Sequence, residues 1–546
     1  MYFSYQTRTE HLHKMTDTQL DILVIGGGIT GAGIALDGIT RGLGVGLVEM
    51  GDFANGTSSH SSKLVEGGLR FLRQGQLIKF KEIAQESYRL HENAPHLTTP
   101  FKMMHPFYQT NPVNPISARL SLNLYDRVAK VKGNQQSDVL NKQASLKREP
   151  TLHSKYLAGS GIYLEYRGDD SRLTMEVLKR AAEFGAYLVN YTKVEKFLYS
   201  QATGKMIGVR VRDLVTGQEK AIYARRIINA SGISVDSLRT LDSASATKEL
   251  TLTKGIHLVF DRKNLPLNNS LYLASPFNDG LMIFAILRNS KVYVGTSQIP
   301  YYGSVTEVKV DQSEIDYLLN AINLLFSLEP ITANEIESAW AGLRPLSLAK
   351  PTGQDQLIKS ETGLYSIIAS QLTTYRKTAE DVIDNVLKDM CREYERLFIK
   401  CRTRNLSLAG GNVGGSQGFQ RYLNEFIKIG VEKFHLPHRQ ADLLVRRYGS
   451  NVIDLYGYLL NLPSNSQLSD LDYIMLRYAL EQEMCLHPLD FLIRRSGYLL
   501  FDYHHALEIK AAVIDEMAKF YQWPASRREQ LTIETDETIK KYQLNN

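Results

Sequence analysis

The run Leu23-Val24-Ile25-Gly26-Gly27-Gly28-Ile29-Thr30-Gly31 has the spacing that lets a backbone hold a pyrophosphate. Gly26, Gly28 and Gly31 satisfy G-x-G-x-x-G. In that pattern the first glycine permits a tight turn and the second lets phosphates approach the backbone. The third lets the following helix pack on the sheet. The start of that helix offers free N–H groups and a partial positive charge. Glu49 ends an apolar run shortly afterwards. An acidic group there accepts the hydroxyls of an adenosine ribose. A second pointer is Arg226-Ile227-Ile228-Asn229-Ala230-Ser231-Gly232, an apolar strand running into a small-residue turn. That is the form of a return strand closing over a bound dinucleotide. Each has a bland alternative, a ligand-free glycine turn for the first and an ordinary buried strand for the second. Neither motif separates NAD from FAD.

The elements around these residues agree with the motif. A strand over Asp21 to Ile25, a helix over Ile29 to Arg41 and a strand ending at Glu49 make a βαβ unit. Gly51 to Gly75 reads as a long loop with short helical pieces, and Phe80 to Asn93 as a helix. Leu173 to Phe184 predicts a helix and Ala186 to Tyr191 a strand. Val194 to Ile222 alternates like a small meander with a turn at Thr216-Gly217, and Arg226 to Ala230 follows as a separate short strand. His257 to Phe260, Leu281 to Ile286, Lys291 to Thr296 and Leu364 to Ala369 read as strands. Asp316 to Phe326 and Thr374 to Lys388 read as helices. After about residue 400 the strand signals fade, and helical periods appear near 418–435, 438–449, 469–484 and 505–521. Leu408 to Gln417 reads as a linker, and the polar stretch 525–546 as a fraying end.

Composition narrows the class. The 546 residues carry 64 basic and 58 acidic side chains, a net charge of +6, with 43% hydrophobic and 22% charged residues. That excludes wholesale disorder and a small disulfide scaffold, and argues for about three domains. The charge excess is too mild to point to nucleic acid. Cys391, Cys401 and Cys485 are far apart and show no metal-ligand spacing, as expected of thiols in a reducing cytosol. No apolar run approaches a membrane span, and Met1 to Thr16 lacks the apolar stretch of a signal peptide. The expected location is cytoplasmic, with room for peripheral contact at the inner face of a membrane.

Six further segments carry a resemblance. They are Thr57 to Arg70 (TSSHSSKLVEGGLR), Tyr163 to Leu173 (YLEYRGDDSRL), Lys254 to Phe260 (KGIHLVF), Trp340 to Leu346 (WAGLRPL), Leu372 to Lys377 (LTTYRK) and Asp490 to Arg495 (DFLIRR). In this order, over roughly residues 20–520, the chain resembles the FAD-dependent glycerol-3-phosphate dehydrogenases and oxidases of the aerobic type. The resemblance implies FAD rather than NAD. It implies an α/β fold, with a Rossmann-like FAD-binding domain, an inserted antiparallel-sheet substrate domain and an all-α C-terminal domain. The FAD-dependent region is expected over 20–400, with FAD-binding parts near 20–95, 160–240 and 340–390. Substrate-capping parts are expected near 96–159 and 241–339, and the helical domain over 401–546. The implied reaction oxidises sn-glycerol 3-phosphate to dihydroxyacetone phosphate, with hydride passing to flavin N5 and electrons going on to quinone or oxygen.

Flavin oxidation of a secondary alcohol needs a base for the hydroxyl proton, cations for the phosphate, and positive charge or N–H dipoles near the reduced flavin. By resemblance His257 is the base. It sits among Ile256, Leu258, Val259 and Phe260, where burial tunes its pKa. By resemblance Arg344, between Leu343 and Pro345, and Arg70, after Gly67-Gly68, face the substrate. The bland alternatives are a satisfied core histidine and structural ion pairs. The residues matched to the cofactor are Gly26, Gly28, Gly31, Glu49, Thr57, Ser58, Ser62, Lys63, Gly232 and Thr373. No metal is implied.

The chain also departs from that family's pattern. Ala369-Ser370-Gln371 replaces a usual Gly-Gly-Lys, adding two Cβ atoms near the flavin path and removing a cation from the phosphate pocket. Phe71 replaces a tyrosine, Glu66 a histidine and Ser360 an arginine. Ile233-Ser234, Leu287 and Ser297-Gln298 differ as well. These changes are expected to cluster at the active site. A lost charged hydrogen bond to phosphate costs about 1.5–3 kcal/mol, so weakened substrate binding is predicted. Three readings stay open: the glycerol-3-phosphate enzyme, a catalytically impaired flavin-binding paralogue, and a flavin oxidase of a different small alcohol or amine. The C-terminal helices leave room for a homodimer.

Overall fold

The computed structural model describes residues 3–108, 115–296, 299–350, 352–394 and 399–542. The apolar run Leu20–Ile25 forms the centre of a parallel sheet, flanked by Val45–Val48 and by Glu219–Asn229. Tyr187–Val189 and Leu364–Ile368 extend it on either side, and Gln356–Lys359 adds an antiparallel edge. Such strands are buried on both faces, which is why they read as continuous apolar runs. The helices Ile29–Thr40, Asp170–Glu183 and Tyr375–Tyr394 pack beside it. Gly33 permits the close approach of two of them: a Cβ there would lie 2.8 Å from the Tyr375 ring. A further apolar cluster joins sheet residues Leu23 and Val48 to Leu12 and Met15 of the helix Tyr5–Asp17 and to Val194, Phe197 and Val209.

Among the described residues the second sheet has ten strands and is antiparallel except for one pairing, Ser270–Ala274 beside Thr98–Tyr108. Its long members are Thr98–Tyr108, Leu157–Gly168, Leu250–Asp261 and Ile336–Ser347. The last two pair in continuous register from Leu250↔Ser347 to Val259↔Ser338. The helix Gln312–Leu325 covers its apolar cluster. The α/β architecture with a mostly antiparallel second sheet and an all-α C-terminal part is the expected one.

Several local expectations are corrected. Arg226 to Ala230 is not a separate strand: Glu219–Asn229 runs unbroken from the hairpin into the parallel sheet. Leu408 to Gln417 is not a free linker. Leu408 donates to the Asn93 carbonyl at 3.0 Å, and Ser450 donates to the Gly410 carbonyl at 2.8 Å. The end does not fray at 525, because Ala525–Ile539 is a helix with Leu531 fully buried. Residues 5–17, read only as polar, form a helix whose Arg8 inserts to reach Asp213 at 2.6 Å. A buried arginine on a polar segment gives no apolar periodicity to detect.

Charged contacts join the C-terminal helices to the first sheet. Asp52, four residues after Val48, accepts from Arg494 at 2.5 Å and from Arg495 at 2.7 and 2.8 Å. Arg172 reaches Glu483 at 2.6 Å and also pairs with Glu176. All of these side chains are buried.

Candidate active site

The glycine turn is built as its spacing requires. Gly26 has φ +113°, and a Cβ on it would lie 2.5 Å from the Ala230 carbonyl. A Cβ on Gly31 would lie 1.9 Å from the Gly26 carbonyl, so only glycine lets the helix seat here. Gly28 caps the helix Ile29–Thr40 without a side-chain cap of its own. The Ile29 N–H donates to the Ser58 Oγ at 3.0 Å, which leaves the serine hydroxyl its own proton to donate. Glu49 accepts the Gly27 N–H at 2.7 Å and the Gly51 N–H at 2.8 Å, one on each oxygen. Burial pushes its carboxyl up, and those two amides oppose the shift. The return strand passes directly beside this turn, with Ile25 opposite Asn229 and the Ala230 N–H bonded to the Ile25 carbonyl at 2.8 Å. Gly232 has φ +58°, and a Cβ there would meet no heavy atom within 4 Å. A glycine turn, a helix N-terminus, an acidic strand end and open space beside Gly232 fit a dinucleotide.

The loop Thr57 to Lys63 connects this turn to the second sheet. The Thr57 hydroxyl donates to the Leu343 carbonyl at 2.6 Å. The Ser62 carbonyl accepts the Tyr293 hydroxyl at 3.0 Å. Lys63 is buried and donates to the Ser59 carbonyl at 2.7 Å and to Asp170 at 2.5 Å. A Cβ on Gly342 would lie 2.0 Å from the His60 carbonyl, so this strand position must be glycine for the loop to lie on it. His60 also meets the end of the chain, where its Nε2 and the Tyr542 hydroxyl are 2.9 Å apart.

Residues on the same face of the paired strands Leu250–Asp261 and Ile336–Ser347 line up from one end of this loop to the other. His257 lies opposite Trp340, Gly255 opposite Gly342, and Thr253 opposite Arg344. Cross-strand partners and residues two apart share a face. Five polar atoms on that face are buried without a hydrogen-bond partner: both His257 nitrogens, Trp340 Nε1, Thr253 Oγ1 and Arg344 Nε. Buried polar atoms are costly when unsatisfied, and a row of them along one face offers partners to a polar ligand. Burial pushes His257 down to about 3, with Lys63 and His60 adding to the effect. The ring is therefore neutral at ordinary pH, the form that accepts a proton.

Arg70 and Arg344 come together. Burial pushes Arg344 down to about 10, and the nearby Arg70 cation adds to that shift. Arg344 donates to Ser370 Oγ at 3.3 Å, and Arg70 pairs with Glu66 at 3.3 Å. The Thr373 hydroxyl donates to the Glu66 carbonyl at 3.3 Å. Gln371 Nε2 is buried without a partner. Glu66, Phe71 and Ser370 therefore do gather around the two arginines, and Gln371 follows Ser370 in the chain. Ser360 and Leu287 make their described contacts elsewhere. Ser360 caps the turn before Leu364, bonding its N–H at 3.0 Å, and lies beside Thr362. The Leu287 carbonyl is held by Arg167, and Ile233-Ser234 lie in a short turn of 3-10 helix. Ser297 and Gln298 lie outside the described residues. The sequence reading missed Lys79, which stands beside Phe71. It sits on a charged helix, and only its spacing of nine residues from Arg70 was visible.

Comparisons with known proteins give the family and the fold. The FAD dependent oxidoreductase family matches residues 21–368, and the C-terminal domain of alpha-glycerophosphate oxidase matches residues 401–528. The chain is 41% identical over 548 aligned positions to an aerobic glycerol-3-phosphate dehydrogenase of Staphylococcus epidermidis, covering 99% of this chain and 98% of that one. The corresponding protein of Staphylococcus aureus is also 41% identical, over 552 positions, with the same coverage. Among solved structures, the glycerol-3-phosphate dehydrogenase from Bacillus halodurans complexed with FAD aligns with a TM-score of 0.85 at 37% identity, covering 100% of both chains. The L-alpha-glycerophosphate oxidase of Mycoplasma pneumoniae shares the fold, with a TM-score of 0.54 at 16% identity over 71% of this chain and 98% of that one. The chain belongs to the FAD-dependent aerobic glycerol-3-phosphate dehydrogenase family.

Proposed function

We propose that this protein oxidises sn-glycerol 3-phosphate to dihydroxyacetone phosphate, using FAD. The observation that carries the reading is the row of unpartnered buried polar atoms from His257 to Arg344, lying against the loop that continues from the dinucleotide turn. Gly26, Gly28, Gly31, Glu49, Ser58, Ser62 and Gly232 hold the cofactor. Thr57, Lys63 and Thr373, whose side chains bond to protein, fix the loops around it. FAD, when held by these residues, would supply the hydride acceptor. His257 takes the proton from the hydroxyl oxygen while hydride leaves the carbon that bears that hydroxyl, so a ketone remains. Arg344 and Arg70 hold the phosphate. The parts near 20–95, 160–240 and 340–390 bind the cofactor, and those near 96–159 and 241–339 cap the substrate.

A second observation favours quinone as the acceptor and contact with a membrane surface. Ile78 is 88% exposed, Leu77 56%, Leu120 65% and Leu124 40%. They lie on the helices Leu77–Asn93 and Pro115–Val128, which pack together through Phe80 and Tyr125 with ring centres 6.1 Å apart. Lys81, Glu82 and Arg119 on the same two helices are exposed as well, with Arg119 3.5 Å from Asp138. An apolar patch with basic neighbours suits an anionic bilayer, where quinones reside. Among the described residues no helix is long and apolar enough to cross a membrane.

The decisive experiment is a visible spectrum of the purified protein before and after anaerobic addition of sn-glycerol 3-phosphate. A flavin band that bleaches within seconds is the expected result. A band that persists would move the substrate to another alcohol or amine, or mark an impaired paralogue, readings favoured by the Glu66 carboxylate beside Arg70. A protein that takes up no flavin even when FAD is added back would overturn the assignment.

A further inference from the structure

Gln371 and Phe71 deprive the pocket of an ammonium group and a hydroxyl. A third cation stands in the same place. Lys79 is half-buried in the first turn of the helix Leu77–Asn93. Its Nζ lies 4.5 Å from the centre of the Phe71 ring, and the Arg70 guanidinium carbon lies 4.7 Å from that ring. The same Nζ donates to the Gly353 carbonyl at 2.8 Å and to the Thr352 carbonyl at 3.2 Å. Gly353 adjoins the other arginine, since a Cβ on it would lie 3.5 Å from Arg344 Nη2 and 3.3 Å from Ser370 Oγ. Phe71 and Gly353 thus tie Lys79, Arg70 and Arg344 into one cluster.

Three carboxylates, Glu66, Asp355 and Glu82, stand around it. Glu66 pairs with Arg70 at 3.3 Å. Asp355 faces Lys79 and Arg344 but is bonded to the Thr378 hydroxyl, and burial pushes its carboxyl up toward the neutral form. Burial also pushes the Lys79 ammonium below its usual range, and Arg70 and Arg344 push it the same way against Asp355 and Glu82. Like charges held this close repel unless an anion sits among them. A compact ammonium on a flexible stem is suited to a phosphate oxygen, while the two guanidinium groups supply fork-shaped contacts.

We propose that Lys79 is a phosphate-binding residue of this active site, supplying from the helix Leu77–Asn93 the cationic contact that Gln371 does not make. The proposal rests on the glycerol 3-phosphate reading for its substrate, and on the cluster alone for its anion.

The test compares FAD-loaded wild type, Lys79→Met, Lys79→Arg and the double variant Lys79→Met/Gln371→Lys. One readout is the KM for sn-glycerol 3-phosphate against kcat. The other is the Kd for inorganic phosphate, read from the flavin absorbance without turnover. Lys79→Met is expected to raise both KM and phosphate Kd by about ten-fold or more, with kcat changing far less. Lys79→Arg should stay within about three-fold of wild type, and adding Gln371→Lys to Lys79→Met should restore most of the loss. A purely structural lysine anchoring residues 352 and 353 would not be rescued from position 371. Phosphate Kd unchanged in Lys79→Met, or lost without rescue by either variant, overturns the proposal. If wild type fails to bleach with sn-glycerol 3-phosphate yet binds phosphate about ten-fold more tightly than Lys79→Met, the substrate reading fails and the Lys79 site stands.

Discussion

His257 and Trp340 face each other across neighbouring strands with their rings stacked, centroids 4.6 Å apart and planes 9° from parallel. Phe284 and Tyr293 close the other sides of the imidazole, with centroids 5.4 and 6.4 Å away. The ring is therefore held in one orientation by apolar contacts alone, with neither nitrogen satisfied by the protein. A histidine whose only job was packing would be better replaced by phenylalanine or leucine. His257→Gln should lower the rate of flavin reduction by about 10²- to 10⁴-fold while flavin content stays near wild type. Anaerobic stopped-flow measures the first and the visible spectrum the second. A rate within a few-fold of wild type would remove His257 from the chemistry.

The same burial sets the pH dependence. An imidazole in water titrates near 6.5, so its base form would be lost through that range. His257 is pushed down to about 3 and keeps its base form throughout. The observed rate of flavin reduction at low substrate should therefore show no acid limb attributable to this ring between about pH 5 and 8. Reduction rates across that window check it, with Lys63 as the charge whose replacement would shift the limb upward. A limb centred near 6.5 that vanishes in His257→Gln would show the ring to be far better solvated than its aromatic cage suggests.

What the sequence revealed and what it hid have separate physical origins. The parallel sheet and its glycine turn were legible because a strand buried on both faces is a short apolar run, and because Gly26 and Gly31 have no steric alternative. The strands Thr98–Tyr108 and Leu157–Gly168 were not legible. They carry charged and polar residues such as Lys102, His105 and Glu165 that are accommodated by partners distant in sequence. His105, for instance, bonds the Tyr272 carbonyl at 2.6 Å. Lys79 was hidden for the same reason. Its companions Arg70, Thr352, Gly353 and Arg344 meet it only after both sheets have formed. The scattering of Ser360 and Leu287 away from the arginine cluster is a fact of topology that no spacing along the chain encodes.

Glu49 offers a clean separation between holding the cofactor and doing the chemistry. Its two oxygens are already oriented by the Gly27 and Gly51 amides, so the carboxylate arrives preorganised at the strand end. Glu49→Gln replaces one acceptor by a donor facing an N–H group and removes the charge. Loss of a charge-assisted hydrogen bond of about 1.5–3 kcal/mol should weaken FAD binding roughly ten- to hundred-fold. Equilibrium dialysis or flavin fluorescence on dilution reads this directly. With FAD restored to saturation, the rate of reduction by substrate should return close to wild type. Retention of FAD through dilution at the wild-type level would assign Glu49 to the architecture of the turn alone.

Asp52 is bonded to both Arg494 and Arg495, and all three side chains are buried. Burial alone would raise its carboxyl, but Arg495 and Arg494 together hold it below the ordinary value. Asp52→Ala leaves two guanidinium groups in the interior with fewer partners, a change that typically costs about 3–5 kcal/mol. Denaturant unfolding followed by near-UV circular dichroism should show the C-terminal helices released at lower denaturant than in wild type. The pH dependence has a definite sign. A carboxyl with a depressed folded pKa binds its proton more readily when unfolded. Its stabilisation is therefore present above about pH 4 and is lost as the pH falls further. Wild type should lose stability over that acid range with a steeper slope than Asp52→Ala. Equal slopes would show that the acid sensitivity arises at other carboxylates.

The exposed apolar patch makes the acceptor testable apart from the chemistry. Ile78 and Leu120 project from neighbouring helices, and each gains about 1.5–3 kcal/mol when an apolar phase covers it. Replacing both by aspartate removes that gain and adds negative charge facing an anionic surface. The Ile78→Asp/Leu120→Asp variant should lose at least about ten-fold in its partition onto phosphatidylglycerol vesicles, measured by sedimentation. Its activity with a water-soluble dye as acceptor should be unchanged, because neither side chain belongs to the substrate pocket. Turnover with a long-chain quinone embedded in those vesicles should fall in step with binding. Full retention of quinone turnover would sever the patch from electron delivery. Rapid reoxidation by oxygen without vesicles would make oxygen the acceptor and leave the patch to a different purpose.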